Sequence, residues 1–268
     1  MASPLSAHVG QLIHRQIAAW PGDPGMDELY NLLRLAGRWR SQVLANTHLA
    51  NEGAKITGGP FAGMEYVSAA TEGPLVARLL GTYESELHPH FAAIAAKGID
   101  CVVDVGCAEG YYAVGLARLM PHVTVHAYDI EEKARLTCAD MAARNGVADR
   151  VIVGGELKPD GFEAFAGKKV LVIVDTEGAE VDILQPALSP ALAGMHIVVE
   201  THDLYRPGAM ATMIERFTPT HEIVRVDQGP KTFDMPAWLR PLPHLDQLLA
   251  VWEWRVKPTP WLVMTPKL

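Results

Sequence analysis

The sequence is poor in the residues that would tie it to several large classes of protein. Three cysteines in 268 residues, Cys101, Cys107 and Cys138, are odd in number and form no C-x-x-C pair. That excludes a disulfide framework or a cysteine zinc site and makes a reducing cytoplasm the expected location. Basic charge is also scarce: 23 Lys and Arg stand against 31 Asp and Glu, a formal net charge of −8. A nucleic-acid backbone partner normally meets a basic face, so none is expected. No apolar run approaches the roughly 20 residues that cross a bilayer, so no membrane partner is expected. The first residues, MASPLSAHVGQLIHRQ, lack the basic start and sustained apolar core of a secretory signal. No repeat or low-complexity segment interrupts the chain. With 49% apolar and 20% charged residues, it is long enough for one large α/β domain and an appendage.

The segment Val102–Ala117, VVDVGCAEGYYAVGLA, carries the most information. An apolar strand bearing Asp104 breaks at Gly106-Cys107-Ala108-Glu109-Gly110 and resumes as an Ala-rich helix. A strand, a glycine-containing turn and a helix N-terminus together cradle nucleotide-like ligands in parallel α/β sheets. A dinucleotide fingerprint would need glycine at three places that here read Gly106, Ala108 and Tyr111. The bulky third residue disfavours an NAD-dependent oxidoreductase, which stays as the alternative. The Asp-x-Gly-x-x-x-Gly spacing instead resembles the first motif of class I S-adenosylmethionine (SAM) methyltransferases.

Downstream, strands and helices alternate strictly. Strands are expected at 101–105, 123–128, 150–154, 169–174, 196–200, 221–226 and 261–265. Helices are expected at 110–119, 131–145, 178–193 and 208–217, with a short helical piece at 160–166. The pattern predicts a doubly wound, mostly parallel sheet in an α/β fold. Seven strands, the last antiparallel, fit the class I methyltransferase arrangement that the resemblance implies. Residues 1–75 read as an N-terminal extension: two helices between about 5 and 48 broken at Pro21–Gly25, then a hairpin over 53–67. The core domain spans 76–268 and starts with a helix over 75–97 interrupted near His88-Pro89. Within it, 227–260 forms a cap or insertion with a helix near 243–256.

Asp129 ends the second strand 23 residues beyond Gly106, where nucleotide-binding α/β folds place an acid for ribose hydroxyls. It equally suits a helix cap. Ile130 follows it on the same cofactor edge. Glu156, after the third strand, is placed to meet the adenine edge or to be an ordinary solvated acid. The run Val170–Glu180, VLVIVDTEGAE, has the continuous apolar character of a strand buried on both faces. It delivers Asp175, Glu177 and Glu180 to the ligand edge of the sheet, where Glu177 and Glu180 would also suit a helix N-terminus.

Asp-x-Glu-Gly-x-Glu after an apolar strand, with Asp-x-Gly-x-x-x-Gly-Tyr-Tyr-Ala upstream, resembles the FkbM-type SAM-dependent methyltransferases over residues 100–203. Val198-Val199-Glu200-Thr201-His202 matches the acid-and-His strand end found there, and Gly81-Thr82-Tyr83-Glu84 the segment before the core. The resemblance implies O-methylation of a hydroxyl on a small molecule of sugar or natural-product type. On it, Asp104, Gly106, Cys107, Ala108, Glu109, Gly110, Tyr111, Asp129, Ile130, Glu156 and Asp175 bind the SAM cofactor. His202 is the candidate general base, because imidazole titrates near neutral pH, with Asp175 and Glu177 as catalytic carboxylates. A second mechanism places a divalent metal on Asp175, His202 and Asp203 to acidify the acceptor. Tyr111 and Tyr112 suit either cofactor contact or core packing. His88, His90, Tyr205 and Arg206 are candidates to line the acceptor pocket. Trp238, Trp252 and Trp254 would fill a small core of the insertion or, if exposed, form a homodimer contact or a lid.

Overall fold

The computed structural model describes residues 3–68 and 73–267. Residues 1, 2, 69–72 and 268, which fall in the expected extension and at the end of the core domain, lie outside it. Seven strands form one sheet: β1 (Cys101–Val105), β2 (Thr124–Tyr128), β3 (Val151–Gly154), β4 (Val170–Val174), β5 (His196–Glu200), β6 (His221–Val226) and β7 (Trp261–Pro266). Their order is β3-β2-β1-β4-β5-β7-β6. β7 is antiparallel to both β5 and β6, and the other neighbouring pairs are parallel. This is the mostly parallel, Rossmann-like sheet expected from the alternation, with the last strand reversed.

Burial explains the order. β1, β4 and β5 are buried at every position, as parallel strands covered on both faces must be. Period-two alternation splits their side chains between two apolar layers. Val102, Leu171, Ile173 and Val198 face α5 (Tyr111–Leu119) and the N-terminal elements, with Phe61, Leu79 and Tyr111 among their partners. Val103, Val105, Val172, Val174, Ile197 and Val199 face Phe162, Phe165, Met213 and Phe217. α6 (Glu132–Arg144) follows β2, and α8 (Ala209–Phe217) precedes β6.

The extension packs into the same core. α1 (Pro4–Ala18) and the 27-residue α2 (Met26–Glu52) precede a turn in which the expected hairpin reduces to one antiparallel bridge, Lys55 to Glu65. Phe61 from that turn sits against Gly115 of α5 so closely that a Cβ there would meet the ring at 2.7 Å. α2 also grips the C-terminal insertion, where Arg40 forms two 2.7 Å hydrogen bonds to Asp246.

Three expected helices are shorter or broken. The span 75–97 divides into α3 (Leu75–Leu80), a 3-10 turn at Ser85–Leu87 and α4 (His88–Ala95). The break falls at Gly81, in the left-handed conformation typical of a helix C-terminus, and Pro89 opens α4 rather than ending a helix. The span 178–193 is a single turn, α7 (Glu180–Ile183), followed by a 3-10 turn at Pro190–Gly194. Pro186 and Pro190 lack N–H donors and restrict the residues before them, which stops a continuous helix. In the insertion, α9 (His244–Ala250) ends before Trp254, whose φ is +62°.

Candidate active site

A cavity of about 840 Å³ runs along the C-terminal ends of β1, β2, β4 and β5, closed on one side by Trp254–Thr259 and Arg38. It spans the gap between β1 and β4, where the chain reverses its direction of winding and where open α/β sheets bind ligands.

The β1–α5 turn forms one wall. Gly106 has φ +85°, and a Cβ there would come within 1.8 Å of the Asp175 carbonyl oxygen, so only glycine lets the β1 and β4 ends approach this closely. The Gly106 and Cys107 N–H groups donate to the Tyr128 carbonyl at 2.9 and 3.1 Å. Ala108, at φ +46°, donates its N–H to Asp129 Oδ2 at 2.9 Å, while Glu131 N–H donates to Oδ1 at 2.8 Å. Asp129 thus orders both the turn and the approach to α6, and it faces the cavity. Beside it Ile130 is 74% exposed, an apolar side chain at the cavity wall, which Leu157 and Pro159 also line. Glu156 lines the same end and pairs with Lys158 at 2.6 Å.

Five residues expected to touch a cofactor are turned into the protein instead. Asp104 is buried under the turn, where the Ala113 N–H in the first turn of α5 donates to it and its Oδ2 has no hydrogen-bond partner. Burial, reinforced by the charge of Asp129, raises its pKa to about 7. Glu109 is buried in an ion pair with Arg78 at 2.9 Å and accepts the Tyr66 hydroxyl. Cys107 is buried beside Cys138, and that contact together with burial pushes its thiol pKa up. Gly110, at φ +96°, starts α5 with no room for a Cβ beside the Cys138 sulfur. Tyr111 packs edge-on against Phe61, Tyr66 and Tyr83 at centroid distances of 5.2, 5.9 and 5.5 Å. The left-handed residues Ala108 and Gly110 wind the turn so that the Glu109 side chain between them points inward. These five build the wall; Gly106, Ala108, Asp129, Ile130, Glu156 and Asp175 present it to the cavity.

The ends of β4 and β5 form the opposite wall. His202 is 3% exposed and surrounded by carboxylates: Glu200 Oε2 at 3.2 Å, Asp175 Oδ1 at 3.6 Å and Glu177 Oε2 at 3.9 Å from Nε2, with Glu180 Oε2 at 3.7 Å from Nδ1. Glu180 ties the two loops together, accepting the His202 N–H at 2.8 Å and the Gly178 N–H at 2.9 Å. Burial disfavours charge on His202, but the Glu180 and Glu200 carboxylates at its two nitrogens, with Asp175 nearby, outweigh it and lift the pKa to about 11. The surrounding carboxylates thus favour positive charge at this position, and a protonated imidazole would not serve as the expected general base.

Asp203 does not join this group. Its carboxylate accepts the Gly208 and Met210 N–H groups at 3.0 and 3.3 Å and caps α8. Glu200 stands in its place, with Asp175 and His202. The sequence carries a signal for it: Glu200 and His202 are two residues apart at a strand end, and alternation sends such a pair the same way.

A buried ionic network backs this wall. Arg255 of the insertion donates to Glu200, to Thr259 and to Glu84, the last at 2.5 Å. Burial raises Glu200, but His202, Arg255 and Thr259 together bring it down to about 2. Burial and the charge of Glu200 instead raise Glu84 to about 7, and the Tyr112 hydroxyl donates to it. Lys231 bridges Glu86 and Glu253 behind them. Tyr112 is thus a core residue that anchors Glu84. Of the acceptor-pocket candidates, Tyr205 reaches the cavity, as does Trp254, over whose ring Arg38 lies at 5.4 Å.

No protein-family model matches the chain, and no curated protein sequence matches it. Solved structures resemble it in shape. A human methyltransferase 10 domain containing protein is 8% identical, covering 85% of this chain and 97% of its own, with a TM-score of 0.48. An O-methyltransferase from Bacillus cereus, in complex with SAH, is 13% identical over 85% of this chain and 90% of its own, with a TM-score of 0.46. The O-methyltransferase TomG from Streptomyces achromogenes, involved in tomaymycin synthesis and in complex with SAM, is 14% identical over 68% of this chain and 81% of its own, with a TM-score of 0.45.

Proposed function

We propose that the chain is a SAM-dependent methyltransferase of the FkbM type that methylates a hydroxyl of a small molecule. The observation that carries this reading is the charge of the cavity at the β1–β4 switch point. Asp129, Glu131, Glu156, Asp175, Glu177, Asp182, Glu200 and Glu253 line it, against His202 and four Lys or Arg side chains. A sulfonium cation suits such a wall, whereas the diphosphate of NAD would be repelled by it. The remaining features fit the same molecule. Asp129 retains acceptor capacity on both oxygens for ribose hydroxyls, and Ile130, Leu157 and Pro159 offer apolar surface for an adenine ring with Glu156 at its edge.

Bound there, SAM supplies an electrophilic methyl group for in-line displacement. The chain's own contribution is positioning, the principal source of acceleration for a reaction that asks for little covalent chemistry from the protein. Glu177, 56% exposed at its side chain and on the cavity wall, receives the proton of the acceptor hydroxyl. Arg38, Trp254 and Tyr205 bound the space left for the acceptor, and the enclosed volume favours a small molecule over a macromolecule. Incubation with SAM and a panel of hydroxyl, amine and carboxylate acceptors tests the reaction. SAH release with a hydroxyl acceptor is expected; transfer confined to amines or carboxylates would contradict O-methylation.

A further inference from the structure

Three side chains on the β4–β5 wall converge on one point. Among the described residues, Asp175, Glu200 and His202 each bring a ligand atom within 4.8 Å of the other two. Each is held by a separate anchor. Glu200 has its Oε1 engaged by Arg255 and by the Thr259 hydroxyl at 2.6 Å, which leaves Oε2 turned to the imidazole. His202 is fixed through its backbone N–H to Glu180. Its ring is 97% buried with Nε2 toward the two carboxylates, and its Nδ1 makes no hydrogen bond. Asp175 follows β4 directly, its N–H donating to the Val105 carbonyl at 3.0 Å, and its carboxylate is 31% exposed at the cavity.

A second observation is the negative charge gathered at the ring: Asp175, Glu177, Glu180 and Glu200 all place a carboxylate oxygen within 3.9 Å of a His202 nitrogen. A divalent ion held there would take the place of a proton on Nε2, since imidazole ligates a metal in its neutral form.

We propose that Asp175, Glu200 and His202 bind one divalent cation through Oδ1, Oε2 and Nε2, and that its open positions face the cavity and take an oxygen of the acceptor. Two carboxylate oxygens suit magnesium and manganese, and the imidazole nitrogen suits zinc and iron. The mixed set selects a divalent ion that tolerates both donor types, and manganese serves as the probe. Only the second half, the acceptor oxygen, rests on the methyltransferase reading. The cation site stands on the donor geometry alone.

The test is manganese binding to the chelator-treated full chain without SAM, read by calorimetry and by the loss of the free Mn²⁺ electron paramagnetic signal. One equivalent is expected to bind, with fast water relaxation showing coordination positions open to solvent. Glu200→Gln and Asp175→Asn should each weaken binding at least tenfold, while Asp203→Asn leaves it unchanged. Asp175 is partly exposed and its amide is isosteric, so that variant keeps the test sound if Glu200→Gln fails to fold. Failure of the wild type to bind manganese, zinc or magnesium would overturn the proposal, as would binding unaffected by Asp175→Asn. SAM binding by a chain that takes no metal would sink this inference and leave the methyltransferase reading standing.

Discussion

The Arg255 guanidinium joins Glu200, at the end of β5, to Glu84, ahead of α4. One side chain of the C-terminal insertion thus holds in register two parts of the cavity wall that are far apart in sequence. All three residues are largely withdrawn from water. Breaking a buried pair by removing one partner commonly costs about 3–5 kcal/mol, because an uncompensated charge stays behind. Arg255→Leu is therefore expected to lower the urea midpoint strongly, and Arg255→Lys less so. A midpoint equal to that of the wild type would contradict the network's structural role.

Asp129 performs two tasks at one place, accepting two backbone N–H groups and facing the cavity. Asp129→Ala should raise the dissociation constant for SAM at least tenfold, as loss of a charged hydrogen bond of about 1.5–3 kcal/mol implies. Asp129→Asn, which keeps one acceptor oxygen, should fall between. Calorimetric titration of the three proteins with SAM checks this. Equal affinities would remove Asp129 from the cofactor contacts.

Glu177→Gln preserves shape and removes the proton acceptor. Turnover with a hydroxyl acceptor should fall by roughly 100-fold, while SAM affinity stays within about a factor of two. Unchanged turnover would assign the proton to another group on the wall.

Asp104 supplies a pH signature. Its carboxyl is raised in the folded protein to about 7 from an ordinary value of 3.8. Between those values the folded state holds a proton that the unfolded chain has released, so stability falls as pH rises from about 4 to 7. Below that window both states are protonated, and above it both are ionised, so the cost is then constant. Asp104→Asn should match the wild type near pH 4, gain on it up to pH 7 and hold a fixed advantage above. The scale is about 1.4 kcal/mol for each unit of displacement. Melting temperatures across pH 4–8 read it directly; a difference independent of pH would contradict the buried-acid account.

The alternation of apolar strands and helices makes the sheet legible, because β1, β4 and β5 are rich in Val, Ile and Leu and buried at every position, as a doubly covered strand needs. The place of Asp129 at the cavity is legible from its distance to Gly106. The inward direction of Glu109 and Tyr111 is not legible, because it depends on a left-handed Ala108, a conformation that alanine gives no hint of. The overlong helix at 178–193 ignored Pro186 and Pro190, a signal that was present. Arg255 was beyond reach in another sense: its partners are 55 and 171 residues away, and no local pattern encodes such a contact. His202 shows its type and place in the sequence but not its surroundings, because the four carboxylates converge on it only after folding.

On the proposed function the cavity holds a cationic methyl donor. Side-by-side calorimetric titration of the wild-type chain with SAM, SAH and NAD tests it most directly. One equivalent of SAM and of SAH should bind, and NAD should give no saturable heat. Saturable binding of NAD with none of SAM would contradict the account.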